Sequence, residues 1–146
     1  MYMNHLNSVL LEGVLTDDPR KVELVEAPAG TRLVKFDLAS DRYYVGRNGE
    51  KKVETVFVPV QCWGTLGDKA IERMRKGMTS RVVGRLRLCK WIGADGSARR
   101  GIEIVAEHVE FRSPRSSGKS NPAVEVLESE NGEAESAGEP EVLYRI

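Results

Sequence analysis

Arg85, Arg87 and Trp91 recur at even spacing in GRLRLCKW, residues 84–91. In an extended chain successive side chains alternate between two faces. These three therefore share one face with Cys89, while Gly84, Leu86, Leu88 and Lys90 take the other. VETVFVPVQCW, residues 53–63, divides in the same way. Val56, Val58, Val60 and Cys62 form a compact apolar set, opposed by Thr55, Phe57, Pro59, Gln61 and Trp63. The apolar set is expected to face a core, and Leu86 and Leu88 are expected to face it too. Phe57, Trp63 and Trp91 then share an outer surface with Arg85 and Arg87. Aromatic faces stack on exposed nucleic-acid bases at ~1–3 kcal/mol per base, and arginines neutralise the phosphates alongside. A duplex hides its base faces, so this chemistry suits single strands and reads little sequence. Taken singly, each aromatic reads as packing and each charge as a solvated face. The same partition on two strands favours the binding surface. A bulge would reverse the alternation beyond it, and Pro59 marks one candidate position.

Other chemistries find little support. Cys62 and Cys89 lie 27 positions apart, and His5 and His108 are remote from each other and from both cysteines. Metal sites want paired ligands at close spacing, so free thiols are expected, with no metal and no cofactor. SPRSSGKS, residues 113–120, resembles a phosphate-binding loop but has Ser113 in place of the first glycine. Asn121-Pro122 follows where a helix should begin. No nucleophile–base or acid–base pair emerges, and an enzyme is not expected.

The positioning elements read mostly as strands. SVLLEGVL (8–15) is strand-like and TDDP ends it. KVELVEAPAGT carries a short alternation before a Pro/Gly turn. TRLVKFDLAS (31–40) alternates cleanly, with Val34, Phe36 and Leu38 against Leu33, Lys35 and Asp37, the latter face reading as wet. Asn48-Gly49 is a strong hairpin signal before 53–63. TLGDKAIERMRKG then shifts to a helical period, with Thr65 placed to cap its start and Gly77 its end; its basic residues read as a solvated face. Strands over about 80–91 and 100–111 follow, joined by a hairpin at Asp95-Gly96. Three main strands, one helix and two strands fit an all-β fold with a single helix: a five-stranded Greek-key barrel of the OB type. A sandwich would show more strands and no such helix, and an α/β fold would repeat the alternation.

Residues 1–113 are read as that one domain and 114–146 as a linker followed by a disordered acidic tail. The 146-residue chain has 22 basic and 22 acidic residues, of which three and seven fall in 114–146. The body is therefore +4 and the tail −4, a split that hints at a polyanionic partner for the body. No apolar run approaches the ~20 residues of a membrane span, and the first 15 residues lack the basic region of a secretory signal. A cytoplasmic protein is expected, with no membrane partner.

LNSVLLEGVLTDDP, VKFDLAS, TVFVPVQCWG, MRKGM, GRLRLCKW and IEIVAEHVEF occur in this order over residues 4–113. In this order and spacing they resemble the bacterial single-stranded DNA-binding proteins. The resemblance implies an OB fold, a homotetramer, and sequence-independent coating of single-stranded DNA during replication, recombination and repair, in the cytoplasm and on the nucleoid. It puts the base-stacking aromatics at Tyr44, Phe57, Trp63 and Trp91, of which only Tyr44 is new. Lys35, Lys90, Arg99 and Arg100 join Arg85 and Arg87 as candidates for the phosphate path. Members of that family end in acidic residues followed by hydrophobic ones, a tip that docks on replication and repair proteins. Here the corresponding stretch runs from Glu139 to Ile146, with Glu141, Val142, Leu143 and Tyr144 between them. Arg145 and the terminal Ile146, where phenylalanine is usual, depart from that pattern. Two other uses of the same barrel remain: a primosome-type assembly factor working through protein contacts, and an RNA-binding OB module.

Overall fold

A computed structural model describes residues 2–114 and 124–128, and the backbone of 143–145. The strands are β1 (Val9–Leu15), β2 (Arg20–Val22), β3 (Leu24–Val25), β4 (Leu33–Val45) and β5 (Lys51–Trp63). Helix α1 (Thr65–Arg73) follows. Then come β6 (Thr79–Ile92), β7 (Ala98–Arg112), β8 (Glu125–Glu128) and β9 (Leu143–Arg145).

Two long hairpins do most of the pairing. β4 and β5 are antiparallel in unbroken register from Leu33↔Trp63 to Val45↔Lys51. β6 and β7 pair from Thr79↔Arg112 to Ile92↔Ala98. β1 joins the hairpins, lying antiparallel to β6 and, at Val14 and Leu15, to β4. Val60 and Gln61 of β5 pair in parallel with Ile104 and Val105 of β7. The ring β1-β4-β5-β7-β6 is thus closed, with α1 between its third and fourth strands: the five-stranded OB barrel expected from the order of elements.

The hairpin turns use glycine where left-handed backbone is needed. Gly49 and Gly96 have φ of 76° and 79°, a region costly for side chains with a Cβ. The core gathers Leu15, Val34, Phe36, Leu38, Val60, Cys62, Val82, Ile104, Val109 and Phe111. Leu66, Ala70 and Met74 of the helical segment close one end of it. The helix starts one residue earlier and stops sooner than its pattern suggests. Gly64, not Thr65, occupies the N-cap, no side chain caps it, and Met74 is already extended. Gly77, at φ 87°, instead shapes the turn leading into β6.

Two stretches of the segment read as a linker and disordered tail are strands. β8 pairs with residues 108–111 of β7 and buries Leu127 in the core. That part of β7 otherwise offers an open edge, which EVLE fills with an apolar residue turned inward. β9 lies between β3 and β6.

The bulge also falls elsewhere than at Pro59, which pairs with Asp37 in unbroken register. It lies in β7: Val83 faces His108, Gly84 faces Ala106, and Glu107 is the extra residue. Gly84 allows this close approach, because a Cβ there would stand 2.0 Å from the Val105 carbonyl oxygen.

Candidate nucleic-acid interface

Register decides which side chains can meet. On the side of the sheet away from the core, β4 contributes Leu33, Lys35, Asp37 and Ala39, opposite Trp63, Gln61, Pro59 and Phe57 of β5. β6 contributes Arg85, Arg87, Cys89 and Trp91, opposite Val105, Glu103, Gly101 and Arg99 of β7. Phe57, Trp63, Trp91, Arg85 and Arg87 therefore lie on one pleat face, as the alternation predicts. Phe57 is 68% exposed, and the indoles of Trp63 and Trp91 are half-buried.

The two tryptophans are held differently. The Trp63 indole Nε1–H donates to Gln61 Oε1 at 3.0 Å, and the Arg87 guanidinium lies 5.7 Å from its ring centre. The Trp91 ring lies against Gly101, where a Cβ would come within 2.9 Å of it. Both indoles pack on a small cluster of Leu33 and Cys89 with Val22 and Leu24. One side of each ring is thus supported by protein.

This face is not uniformly wet. Lys35, expected on it in contact with solvent, is only 3% exposed. Its ammonium donates to Glu103 in a buried ion pair, so it is withdrawn from any phosphate path. Gln61 is buried beside the pair, its amide donating to Glu103 Oε2 at 3.0 Å. Burial pushes the thiol of neighbouring Cys89 up to about 11, with the Glu103 carboxylate adding to the shift, and that of core Cys62 up to about 12. Both residues are free cysteines.

The inward expectation for Leu86 and Leu88 also fails. They keep the parity of core residues such as Val82, yet are 46% and 57% exposed. Past the bulge the β6–β7 ribbon leaves the barrel: Ile104, opposite Leu86, is buried, whereas Ile102, opposite Leu88, is exposed.

The basic candidates divide between two faces. Arg85 pairs with Glu107 at 3.3 Å, and Arg99 with Asp95 at 3.3 Å. Exposed pairs of this kind are worth little and can be exchanged for phosphate oxygens. Ser97 donates through its hydroxyl and backbone N–H to Asp95, holding that carboxyl below its ordinary range and fixing the hairpin tip from which Arg99 extends. Lys90 and Arg100 face each other on the opposite side of the ribbon, with Leu88 and Ile102.

Among the aromatics of β4, register separates Tyr43 from Tyr44. Tyr43 shares the pleat face of Ala39 and Phe57. Tyr44 lies on the other with Arg42, whose guanidinium sits 5.3 Å from its ring centre. Tyr43 is 77% exposed and Tyr44 38%. Counting by twos from Asp37 through Ala39 and Asp41 reaches Tyr43, a signal the sequence carries once β4 is known to run unbroken to Val45.

Of the tail residues, Leu143 and Tyr144 lie in β9, their backbone opposite Lys90 and Trp91. Glu139, Glu141, Val142 and Ile146 fall outside the described residues.

The family model described as the single-strand binding protein family matches residues 6–112. The chain belongs to that family. The match spans the whole barrel. A single-stranded DNA-binding protein of Helicobacter hepaticus is 34% identical over 80% of this chain and 66% of its own length. One from Aquifex aeolicus is 36% identical over 71% of this chain and 68% of its own. The chain thus spans about two thirds of the length of these relatives. Among solved structures, the Plasmodium falciparum SSB complex with ssDNA superposes with a TM-score of 0.58 at 23% identity, covering 73% of this chain and 90% of that one. A deletion mutant of the single-stranded DNA binding protein from Thermus aquaticus gives 0.61 at 24%, covering 75% and 52%. These two establish likeness of fold.

Proposed function

We propose that the protein is a non-enzymatic, sequence-independent single-stranded DNA-binding protein. It coats and protects DNA exposed in replication, recombination and repair. The observation carrying this reading is the single pleat face that holds Phe57, Trp63 and Trp91 with Arg85, Arg87 and Arg99. Bases stack on the supported indoles and on Phe57, while the arginines track phosphates. Tyr43 or Tyr44 extends the path along β4, and Lys90 and Arg100 serve a strand that wraps around the ribbon edge. The names of the curated relatives agree with this assignment.

The working form is a homotetramer. Exposed Leu10, Leu86, Leu88 and Ile102 supply apolar surface of the kind that subunit contacts cover. The protein acts in the bacterial cytoplasm, on the nucleoid; among the described residues no helix is long and apolar enough to cross a membrane. The stretch from Glu139 to Ile146 serves as a contact for replication and repair proteins when β9 is released from β3 and β6.

A mobility-shift competition tests the assignment. Labelled oligo(dT) should be displaced by unlabelled single-stranded DNA and poorly by duplex DNA or by RNA of the same length. Equal displacement by RNA would favour an RNA-binding module. Absence of any shift at low salt would leave a barrel used for protein assembly.

A further inference from the structure

Between the barrel core and the proposed stacking face lies a buried polar chain that base stacking alone does not require. Lys35 on β4, Gln61 on β5 and Glu103 on β7 are each almost wholly excluded from solvent. Lys35 stands directly opposite Gln61 in the register, and its ammonium pairs with Glu103 Oε1. Gln61 Nε2 donates to the other carboxylate oxygen, Glu103 Oε2, at 3.0 Å, and also reaches Cys89 Sγ at 2.9 Å. Gln61 Oε1 in turn accepts from the Trp63 indole at 3.0 Å.

The direction of this chain follows from donor and acceptor inventory. A carboxylate only accepts, and an ammonium only donates. Lys35 takes one carboxylate oxygen of Glu103 and leaves the other facing Gln61. Of the two ends of the Gln61 amide, only the NH2 end can donate to Glu103. The carbonyl end is thereby turned toward Trp63, whose Nε1–H can only donate. Were the amide reversed, oxygen would face carboxylate and NH2 would face indole N–H, two mismatches beside a buried ion pair. Aliphatic side chains at 35, 61 and 103 together would fill the same volume without the desolvation cost of a buried ion pair. What the polar set supplies instead is orientation.

We propose that Lys35, Glu103 and Gln61 are positioning residues for Trp63, locking its indole in the plane on which a base stacks. This rests on the reading of Trp63 as a stacking residue. Arg87, over the indole and opposite Glu103 in the register, closes the arrangement from outside. With its edge tied by a hydrogen bond, the ring has little freedom left to lose when a base arrives, which favours binding by preorganisation.

The test uses the full chain carrying Trp91→Phe, which leaves Trp63 as the only tryptophan. Time-resolved fluorescence anisotropy of the free protein reads indole order, and titration with oligo(dT) reads affinity. Gln61→Met keeps the length of the side chain and removes its hydrogen bonds to Glu103, Cys89 and Trp63; if it fails to fold, Gln61→Asn keeps the amide but withdraws it by one methylene. The expected result is a new fast anisotropy decay in the free protein and affinity lowered about fivefold, the ordering cost of one immobilised side chain. In a Trp63→Phe background, which stacks but has no N–H to hold, the same change at Gln61 should leave affinity within twofold. An equal loss in both backgrounds, or unchanged indole order in the free protein, overturns the positioning role while leaving Trp63 as a stacking residue. If Trp63→Ala in the wild-type chain binds oligo(dT) as tightly as its parent, the stacking reading itself falls, and the positioning proposal with it.

Discussion

Trp91 stands opposite Arg99 in the β6–β7 register, and the next pair along, Lys90 with Arg100, points to the other side of the ribbon. Four residues that look equivalent in sequence thus belong to two surfaces. The face with Trp91 and Arg99 also carries Arg87 and Arg85. Removing one cation that neutralises a phosphate should lower the slope of log K against log salt by about 0.7 for a single strand. Arg87→Ala and Arg99→Ala are expected to show that reduction in titrations at several salt concentrations. Lys90→Ala and Arg100→Ala should show less at short oligonucleotide length. An unchanged slope for Arg87→Ala would remove it from the phosphate path.

Trp63→Ala and Trp91→Ala should each weaken binding to oligo(dT) by ~1–3 kcal/mol. Both indoles also cover Leu33 and Cys89, so a modest loss of stability accompanies each change. Circular dichroism and thermal unfolding separate the two effects. Gly101→Ala should reproduce part of the Trp91 loss, since its methyl would displace the ring. Unfolding of both tryptophan variants with unchanged affinity per folded molecule would make the indoles core residues.

Tyr43 and Tyr44 offer a direct contest between register and resemblance. Tyr43 shares the pleat face of Phe57, and Tyr44 does not. Tyr43→Ala is expected to cost more binding energy, up to ~1–3 kcal/mol, while Tyr44→Ala costs less. The reverse order would mean that the outer part of the β4–β5 ribbon turns its other side to the DNA.

The cysteines predict a pH dependence. Burial raises both thiols, to about 12 for Cys62 and about 11 for Cys89, from an ordinary value of 9.0. Above pH 9 the unfolded chain therefore holds fewer protons than the folded one, and stability falls as pH rises. The loss begins near pH 9, runs at ~1.4 kcal/mol per pH unit for each protonated thiol, and ceases for each at its folded pKa. Urea unfolding between pH 7 and 10.5 measures it. At pH 8 a thiol reagent should label the native protein only as fast as it unfolds; rapid labelling of two thiols would contradict this burial.

The order of strands, helix α1 and the hairpin glycines are legible in the sequence because each rests on local pattern. Parity alone also identifies the shared face of Phe57, Trp63 and Trp91. It misplaces Lys35 because alternation reports which side a residue takes, not what covers it; Glu103, 68 positions away, has to be brought alongside by the barrel. Leu86 and Leu88 fail for the complementary reason, since a strand can keep its inward parity after leaving the barrel. The extra residue at Glu107 is hidden because AEHVE, residues 106–110, is compatible with several registers. β8 escapes notice since four residues with one inward leucine look like any other part of an acidic segment.

Intrinsic tryptophan fluorescence during titration with oligo(dT), at low and high salt and with duplex DNA as competitor, tests most directly whether this face binds single strands by stacking. Stacking of bases on Trp63 and Trp91 predicts strong quenching that duplex scarcely reverses and that persists at moderate salt. Binding without quenching, or quenching abolished equally by duplex, would mean that the aromatics do not meet the bases and would contradict that assignment.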